Sequence, residues 1–270
     1  MPTRLFRTLA MGLVIGVGMA APSAEAQGAP VFNGIAHVAI RVSDLTASRD
    51  FYKKLGFDEA FALSRDGVVY ESFFKINDRQ FVEMYPVTAR DTQIGFLHLC
   101  FEGADLNAIH DDYVRRGLTP NKVRTAGAGN LLFTMEGPEK QNIEYTHYMP
   151  ASMHSKDVGK DLGRDRIGDK MVAVSLAMQD REAARIFYAK QLRFPVDRRN
   201  PIVFDLPGSS GEQVEIVSSD LEHKARVTLH ASDLRRAEKH LREEKIPFTA
   251  GKNMLTVTDP DGNLLLVRAR

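Results

Sequence analysis

Two imidazoles and two carboxylates stand at a repeated interval in this 270-residue chain. His37 and Glu83 lie 46 residues apart (83−37), as do His98 and Glu144 (144−98), with 15 residues between the pairs (98−83). Each falls in a short run of β character: IAHVAIRV, RQFVEMYP, GFLHLCFE and NIEYTHYM. Nitrogen and carboxylate donors offered together suit a borderline-hard divalent cation. Side chains on a strand alternate faces. Glu83 therefore shares a face with Phe81 and Tyr85, His98 with Cys100, Glu144 with Thr146, and His37 with Ala39 and Arg41. A single histidine on an apolar strand is usually a hydrogen-bonded core residue. Four polar residues at a symmetric spacing are costly to bury unless they bind something.

The elements that would position them recur along the chain. GIAHVAIRVSDLTASRDFYKKLGF (34–57) resembles DKMVAVSLAMQDREAARIFYAKQLRF (169–194), and GFLHLCFEGADLNAIHDDYVRRGLTP (95–120) resembles KARVTLHASDLRRAEKHLREEKIPF (224–248). Each reads as a strand, an Asp at a helix start, and a helix. Leu106, Ile109 and Tyr113, and again Leu234, Ala237 and Leu241, carry the i, i+3, i+4 spacing of a half-buried helix. Short alternating segments such as VVYESFFKI and NLLFTME follow, as hairpin strands. The unit is β-α-β-β-β, with approximate spans 32–89, 94–150, 169–219 and 224–270. Residues 151–168 lack periodicity, are rich in Gly, Asp and Lys, and read as a linker.

Formal charge is +1, so nothing in the balance suggests nucleic acid as a partner. Cys100 is the one cysteine, so no intramolecular disulfide can form. Residues 1–26 differ in kind: Arg4 and Arg7, an apolar run LAMGLVIGVGMAA, then Ala24-Glu25-Ala26. That pattern predicts a cleaved secretory signal, a mature start near Gln27, and export to the periplasm or outside of a bacterial cell, with no membrane association after cleavage. The apolar run is too short for a comfortable span.

The opening H-V-A-I-R-V-x-D-L…F-Y-x-x-L-G-F, the F-V-E strand, the L-H-L strand and the closing D-P-D-G-N turn at 259–263 resemble the vicinal oxygen chelate superfamily, which includes glyoxalase I, extradiol dioxygenases, and fosfomycin- and bleomycin-resistance proteins. The resemblance implies an α+β chain in which four β-α-β-β-β modules form two glyoxalase-like open barrels, a first domain over 32–150 and a second over 169–270. It also implies that the first and last strands of each module supply metal ligands: His37, Glu83, His98 and Glu144, around one ion of Fe, Ni, Zn, Mn or Co. In the dioxygenases of this family the strand corresponding to that of Glu83 need not contribute a ligand. Aligning the repeats puts Ala173, Glu215, Arg226 and Leu266 at the four positions of the second half. Alanine and leucine cannot coordinate, so that half is expected to hold no metal, with Glu215 and Arg226 free to pair.

Arg41 is similar in placement to a glyoxalase I arginine that holds a substrate carboxylate, and otherwise reads as a surface arginine. Val87, behind Pro86, replaces an asparagine that contacts glutathione in that enzyme, which argues against glutathione as substrate. Tyr85 and Tyr148 are candidates to line the pocket mouth, and Cys100 reads as a small core side chain. His147 and His110 are expected outside the ligand set, while His154 sits in the linker at an undefined distance from the cleft. The leading expectation is a lyase or isomerase acting on a small oxygen-chelating substrate, with Glu144 or Glu83 as general base. The alternatives are an Fe(II) extradiol-type dioxygenase and a bleomycin-resistance-type protein that sequesters its ligand. A monomer or a homodimer fits equally well.

Overall fold

The computed structural model describes Met1, residues 31–218 and residues 223–269. Apart from Met1, the expected leader lies outside the described residues.

The first module runs β1 (Phe32–Val42), α1 (Leu45–Lys54), β2 (Glu59–Arg65), β3 (Val68–Asn77) and β4 (Gln80–Pro86). The second runs β5 (Gly95–Gly103), α2 (Leu106–Arg115), β6 (Arg124–Thr125), β7 (Leu131–Glu136) and β8 (Asn142–His147). Their strands form one sheet in the order β2-β3-β4-β1-β5-β8-β7-β6. Within each module the first and last strands pair in parallel, and the modules meet where β1 runs antiparallel to β5. Faces alternate across this seam, with β-bulges between Ile35 and His37 and between Ala39 and Ile40. Val38, Ile40 and Val42 of β1, Val82 and Met84 of β4, Leu99 and Phe101 of β5, and Ile143 and Tyr145 of β8 enter the main core. His37, Glu83, His98 and Glu144 occupy the intervening positions, on the other face.

Helix starts follow from local hydrogen bonding. The Asp44 carboxylate accepts from the amides of Thr46 and Ala47, and Asp105, Asp180 and Asp233 each accept from the amide three residues on. The short helix α3 (Met153–Lys156) belongs to the connecting segment and is capped by Ser152.

The second half contains β9 (Lys170–Ala177), α4 (Arg181–Ile186), β10 (Val203–Asp205), β11 (Gln213–Val217), β12 (Arg226–His230), α5 (Leu234–Glu243), β13 (Phe248–Ala250), β14 (Met254–Thr258) and β15 (Leu264–Arg268). Its sheet runs β10-β11-β9-β12-β15-β14-β13, one strand short of the first. The missing strand belongs to the third module, where an isolated bridge between Val196 and Phe204 stands in its place. Between Pro195 and Pro201 the chain turns on Asp197, whose carboxylate accepts from the amides of Arg199 and Asn200. Proline cannot donate to a ladder, and the segment closes as a turn.

Register confirms the repeat alignment position by position. Ala39 pairs with both Glu83 and His98; Ser175 pairs with both Glu215 and Arg226. His37 pairs with Cys100, which pairs with Glu144; Ala173 pairs with Thr228, which pairs with Leu266. The expected ion pair of Glu215 with Arg226 does not form. The Ser175 hydroxyl donates to Glu215 at 2.7 Å instead, and the buried Nε of Arg226 has no hydrogen-bond partner among the described residues.

The halves are joined by both core and polar contacts. Phe194 packs edge-on against Phe32 and Phe101, with ring centres 5.7 and 5.5 Å apart. The Gln80 side-chain amide donates to the Met171 carbonyl at 3.0 Å and accepts from the Met171 amide at 2.7 Å. A buried amide satisfied at both ends fixes the relative register of the two sheets.

Candidate metal centre

The band β4-β1-β5-β8 has an approximate two-fold axis between its central strands. His37 lies opposite Cys100, and Ala39 opposite His98. This symmetry turns the 46-residue interval into proximity, because equivalent residues of the two modules face the same point.

His37 is the hub. Its Nε2 lies 3.0 Å from Nε2 of His98 and 3.4 Å from Oε1 of Glu144. Its Nδ1 lies 3.0 Å from Oε1 of Glu83, whose other oxygen is 3.8 Å from Nε2 of His98. One donor atom each from His37, Glu83 and His98 falls within a 4.8 Å span, and so does one each from His37, Cys100 and Glu144. Ligands about 2.1 Å from a shared cation stand about 3.0 Å apart at right angles and about 3.4 Å apart at the tetrahedral angle. The separations at His37 Nε2, 3.0 Å to His98 and 3.4 Å to Glu144, match those edges, whereas Glu83 faces the other ring nitrogen, Nδ1, and stands 3.8 Å from Nε2 of His98.

Burial sets the protonation of the cluster. Desolvation lowers His37 to about 3 and His98 to about 4, so both imidazoles are neutral and can offer lone pairs. Desolvation raises Glu83 well above the usual carboxylate range, and the charges of Glu71 and Glu144 push it further. Glu144 is also raised, again by burial first. Glu71, on β3, is raised to about 7 by burial and by Glu144, against a hydrogen bond from Tyr85 that lowers it. Although Glu83 lies close to His37 Nδ1, that buried nitrogen has no aligned hydrogen-bond partner among the described residues. Neutral imidazoles, crowded carboxylates and an orphaned ring nitrogen form an arrangement that a cation would complete. The donor set fits a divalent metal.

A cavity of about 140 Å³ opens onto this cluster. His37, Glu83 and Glu144 line it, with Tyr85, Glu71, Arg124, Asn130 and His154. Tyr85 donates to Glu71 at 2.7 Å and lies 3.2 Å from Glu83, so it orients both carboxylates. Arg41 is not among the lining residues; its guanidinium lies 3.6 Å from Asp91 and 3.4 Å from the Gln93 carbonyl. The cation at the cavity is Arg124, at the start of the β6–β7 hairpin. Cys100 is fully buried beside Glu144, and its burial and that carboxylate raise its thiol. His147 bonds the Gly103 carbonyl and His110 pairs with Asp111, both away from the cluster.

Sequence reasoning had not placed Glu71, Arg124 or Asn130 at the site, and it left the reach of His154 undefined. Glu71 could have been found from the parity of β3: with Phe73 and Lys75 it occupies one face of that strand. Nothing in sequence spacing signals the other three.

Residues 34–145 match the family model described as the Glyoxalase/Bleomycin resistance protein/Dioxygenase superfamily. This segment belongs to that superfamily. A search of the curated proteins finds no sequence match. Solved structures resemble the whole chain at low identity. A Mn(II)-bound glyoxalase from Novosphingobium aromaticivorans aligns with a TM-score of 0.67 at 16% identity, covering 88% of this chain and 82% of its own. The Pseudomonas 2,3-dioxygenase LapB gives 0.67 at 15%, covering 90% and 94%. Homoprotocatechuate 2,3-dioxygenase from Brevibacterium fuscum, solved with 3,4-dihydroxyphenylacetate, gives 0.64 at 14%, covering 91% and 82%. At these identities the likeness establishes a shared fold.

Proposed function

We propose that this chain is an exported, divalent-metal-dependent enzyme that binds a small substrate through neighbouring oxygens and works as a lyase or isomerase. The observation that carries this reading is the gathering of His98, Glu83 and Glu144 around His37, with His37, Glu83 and Glu144 lining a small cavity. A bound cation would supply Lewis acidity to the chelated oxygens. The chain supplies the rest. His37 and His98, kept neutral by burial, offer ring nitrogens without competition from protons at neutral pH. Glu144 and Glu83 line the cavity with raised basicity, and either would serve as general base toward a carbon beside the chelated oxygens. Tyr85 holds Glu83 and Glu71 in position, and Arg124 attracts an anionic end of the substrate. The cavity volume restricts the substrate to a few heavy atoms within the walls.

A second reading leaves Glu83 out of the ligand set. His37, His98 and Glu144 would then be two imidazoles and one carboxylate, the ligand type used by non-haem Fe(II) oxygenases, and His37 Nε2 lies 3.0 Å from Nε2 of His98 and 3.4 Å from Oε1 of Glu144. Sequestration without chemistry accounts for neither group of donors. Metal analysis of protein purified without chelator separates these readings. Stoichiometric Ni, Zn, Mn or Co, lost in His37→Ala and His98→Ala, with solvent deuterium entering small α-hydroxy ketones, supports the lyase or isomerase. Iron with oxygen uptake on catechols supports the dioxygenase. A metal-free protein that the addition of divalent ions does not stabilise overturns both.

A further inference from the structure

The connecting segment between the two halves delivers a side chain to the cavity that the metal reading does not use. His154 lies on α3, is 2% exposed and lines the cavity with His37, Glu83 and Glu144. Its ring is held in one orientation. Tyr148 stacks on it at 4.5 Å with planes 14° apart, and Phe61, Phe73 and Phe81 meet it edge-on at 4.8, 5.2 and 4.8 Å. The Asn130 Nδ2 amide contacts Nδ1 at 2.9 Å. With Asn130 Nδ2 turned to the ring, its own Oδ1 left without a partner among the described residues, the amide donates, Nδ1 accepts and the proton of the neutral ring belongs on Nε2. That Nε2 is buried and has no partner among the described residues. A buried donor left without an acceptor costs about 1–3 kcal/mol, which an oxygen acceptor entering the cavity would relieve.

The helix that carries this ring is fastened at both ends. The Met153 amide donates to the Ala128 carbonyl at 2.9 Å. At its far end the fully buried Lys75 ammonium donates to the Asp157 carbonyl at 2.6 Å, the Asp157 carboxylate at 2.7 Å and the Lys160 carbonyl at 2.7 Å. Gly129 passes so close that an added Cβ would stand 3.3 Å from Ser152 Cα, and its φ of +87° favours glycine there. Burying a lysine to secure a four-residue helix is an expensive way to close a surface, and a direct way to fix one ring.

We propose that His154 is a substrate-contacting residue: its Nε2–H donates a hydrogen bond to an oxygen of the ligand that enters the cavity it shares with His37, Glu83 and Glu144. The ligand class is a small oxygen-rich anion or enol, whose oxygen replaces the missing acceptor. The proposal rests on the functional reading above only for the identity of the neighbouring groups.

Two experiments test it, one of them independent of any metal. In metal-free protein, long-range ¹H–¹⁵N NMR of the His154 ring should show a protonated Nε2 and a bare Nδ1; the opposite tautomer overturns the proposal. In zinc-loaded protein, with oxalate as the probe, His154→Phe should retain the parent's zinc stoichiometry and bind oxalate about 10- to 100-fold more weakly, the range for one hydrogen bond to a charged group. His154→Gln, whose amide can still donate, should recover part of the loss. Oxalate binding by His154→Phe at the parent's strength overturns the proposal, and so does loss of zinc from that variant, which would make His154 a ligand. If the parent itself binds no zinc, the metal reading fails, and the tautomer alone decides the role of His154.

Discussion

Replacing Glu71 with glutamine should stabilise the metal-free protein, and by an amount that grows with pH. In the folded chain burial raises this carboxyl to about 7, against an ordinary value of 4.5. A folded-state pKa raised above the unfolded one means that the folded state binds the proton more tightly. The penalty for ionising the group is therefore small in acid and grows as pH rises through 7. Integrating between the two values gives a cost of about 3 kcal/mol at pH 8 and about 1 kcal/mol at pH 5. Glutamine is isosteric, cannot ionise, and keeps an oxygen to accept the 2.7 Å hydrogen bond from Tyr85. Urea unfolding of chelator-treated parent and Glu71→Gln, at pH 5 and pH 8, measures the difference directly. The variant should be more stable by about 2–3 kcal/mol at pH 8 and by about 1 kcal/mol at pH 5. A variant less stable than the parent at pH 8, or a gain that does not change with pH, would refute the claim that crowded buried carboxylates load this cavity.

Other outcomes follow from the same geometry. A divalent ion at 100 times its Kd should add about 2.7 kcal/mol, raising Tm by about 5–10 °C; a chelator should reverse the shift and His37→Ala should abolish it. His98 titrates near 4 when folded and 6.5 when unfolded, so its contribution is present above pH 6.5 and lost as pH falls toward 4. The stability gap between metal-free parent and His98→Gln should accordingly narrow by about 2 kcal/mol from pH 7 to pH 4.5 in denaturant titrations. Phe133 is fully buried and stacks on Tyr145 at 4.6 Å; Phe133→Ala should cost about 3–5 kcal/mol by equilibrium unfolding, with no selective effect on metal stoichiometry in the folded protein.

The central strands were legible because two regularities coincide in them. A period of two separates Val38, Ile40 and Val42 from His37, Ala39 and Arg41, and a repeat of the whole module places Glu144 as it places Glu83. Aspartates before α1, α2, α4 and α5 were equally plain, since capping is a local interaction. The rest depended on long-range placement. Arg41 and Arg124 are the same residue type, and only the paths of the loops decide which one reaches the cavity and which one meets Asp91. His154 comes from a stretch without periodicity, and its position is set by Lys75, 79 residues earlier in the chain (154−75). The lost strand of the third module was masked by the strong likeness of its opening helix to that of the first.

The half without donors has a consequence for how the other half is filled. Ala173, Thr228 and Leu266 hold the register that His37, Cys100 and Glu144 hold, in a sheet built to the same plan. Apolar packing and backbone ladders are therefore enough to set this curvature. The ligand cluster is thus a preformed receptor rather than a knot tied around its ion.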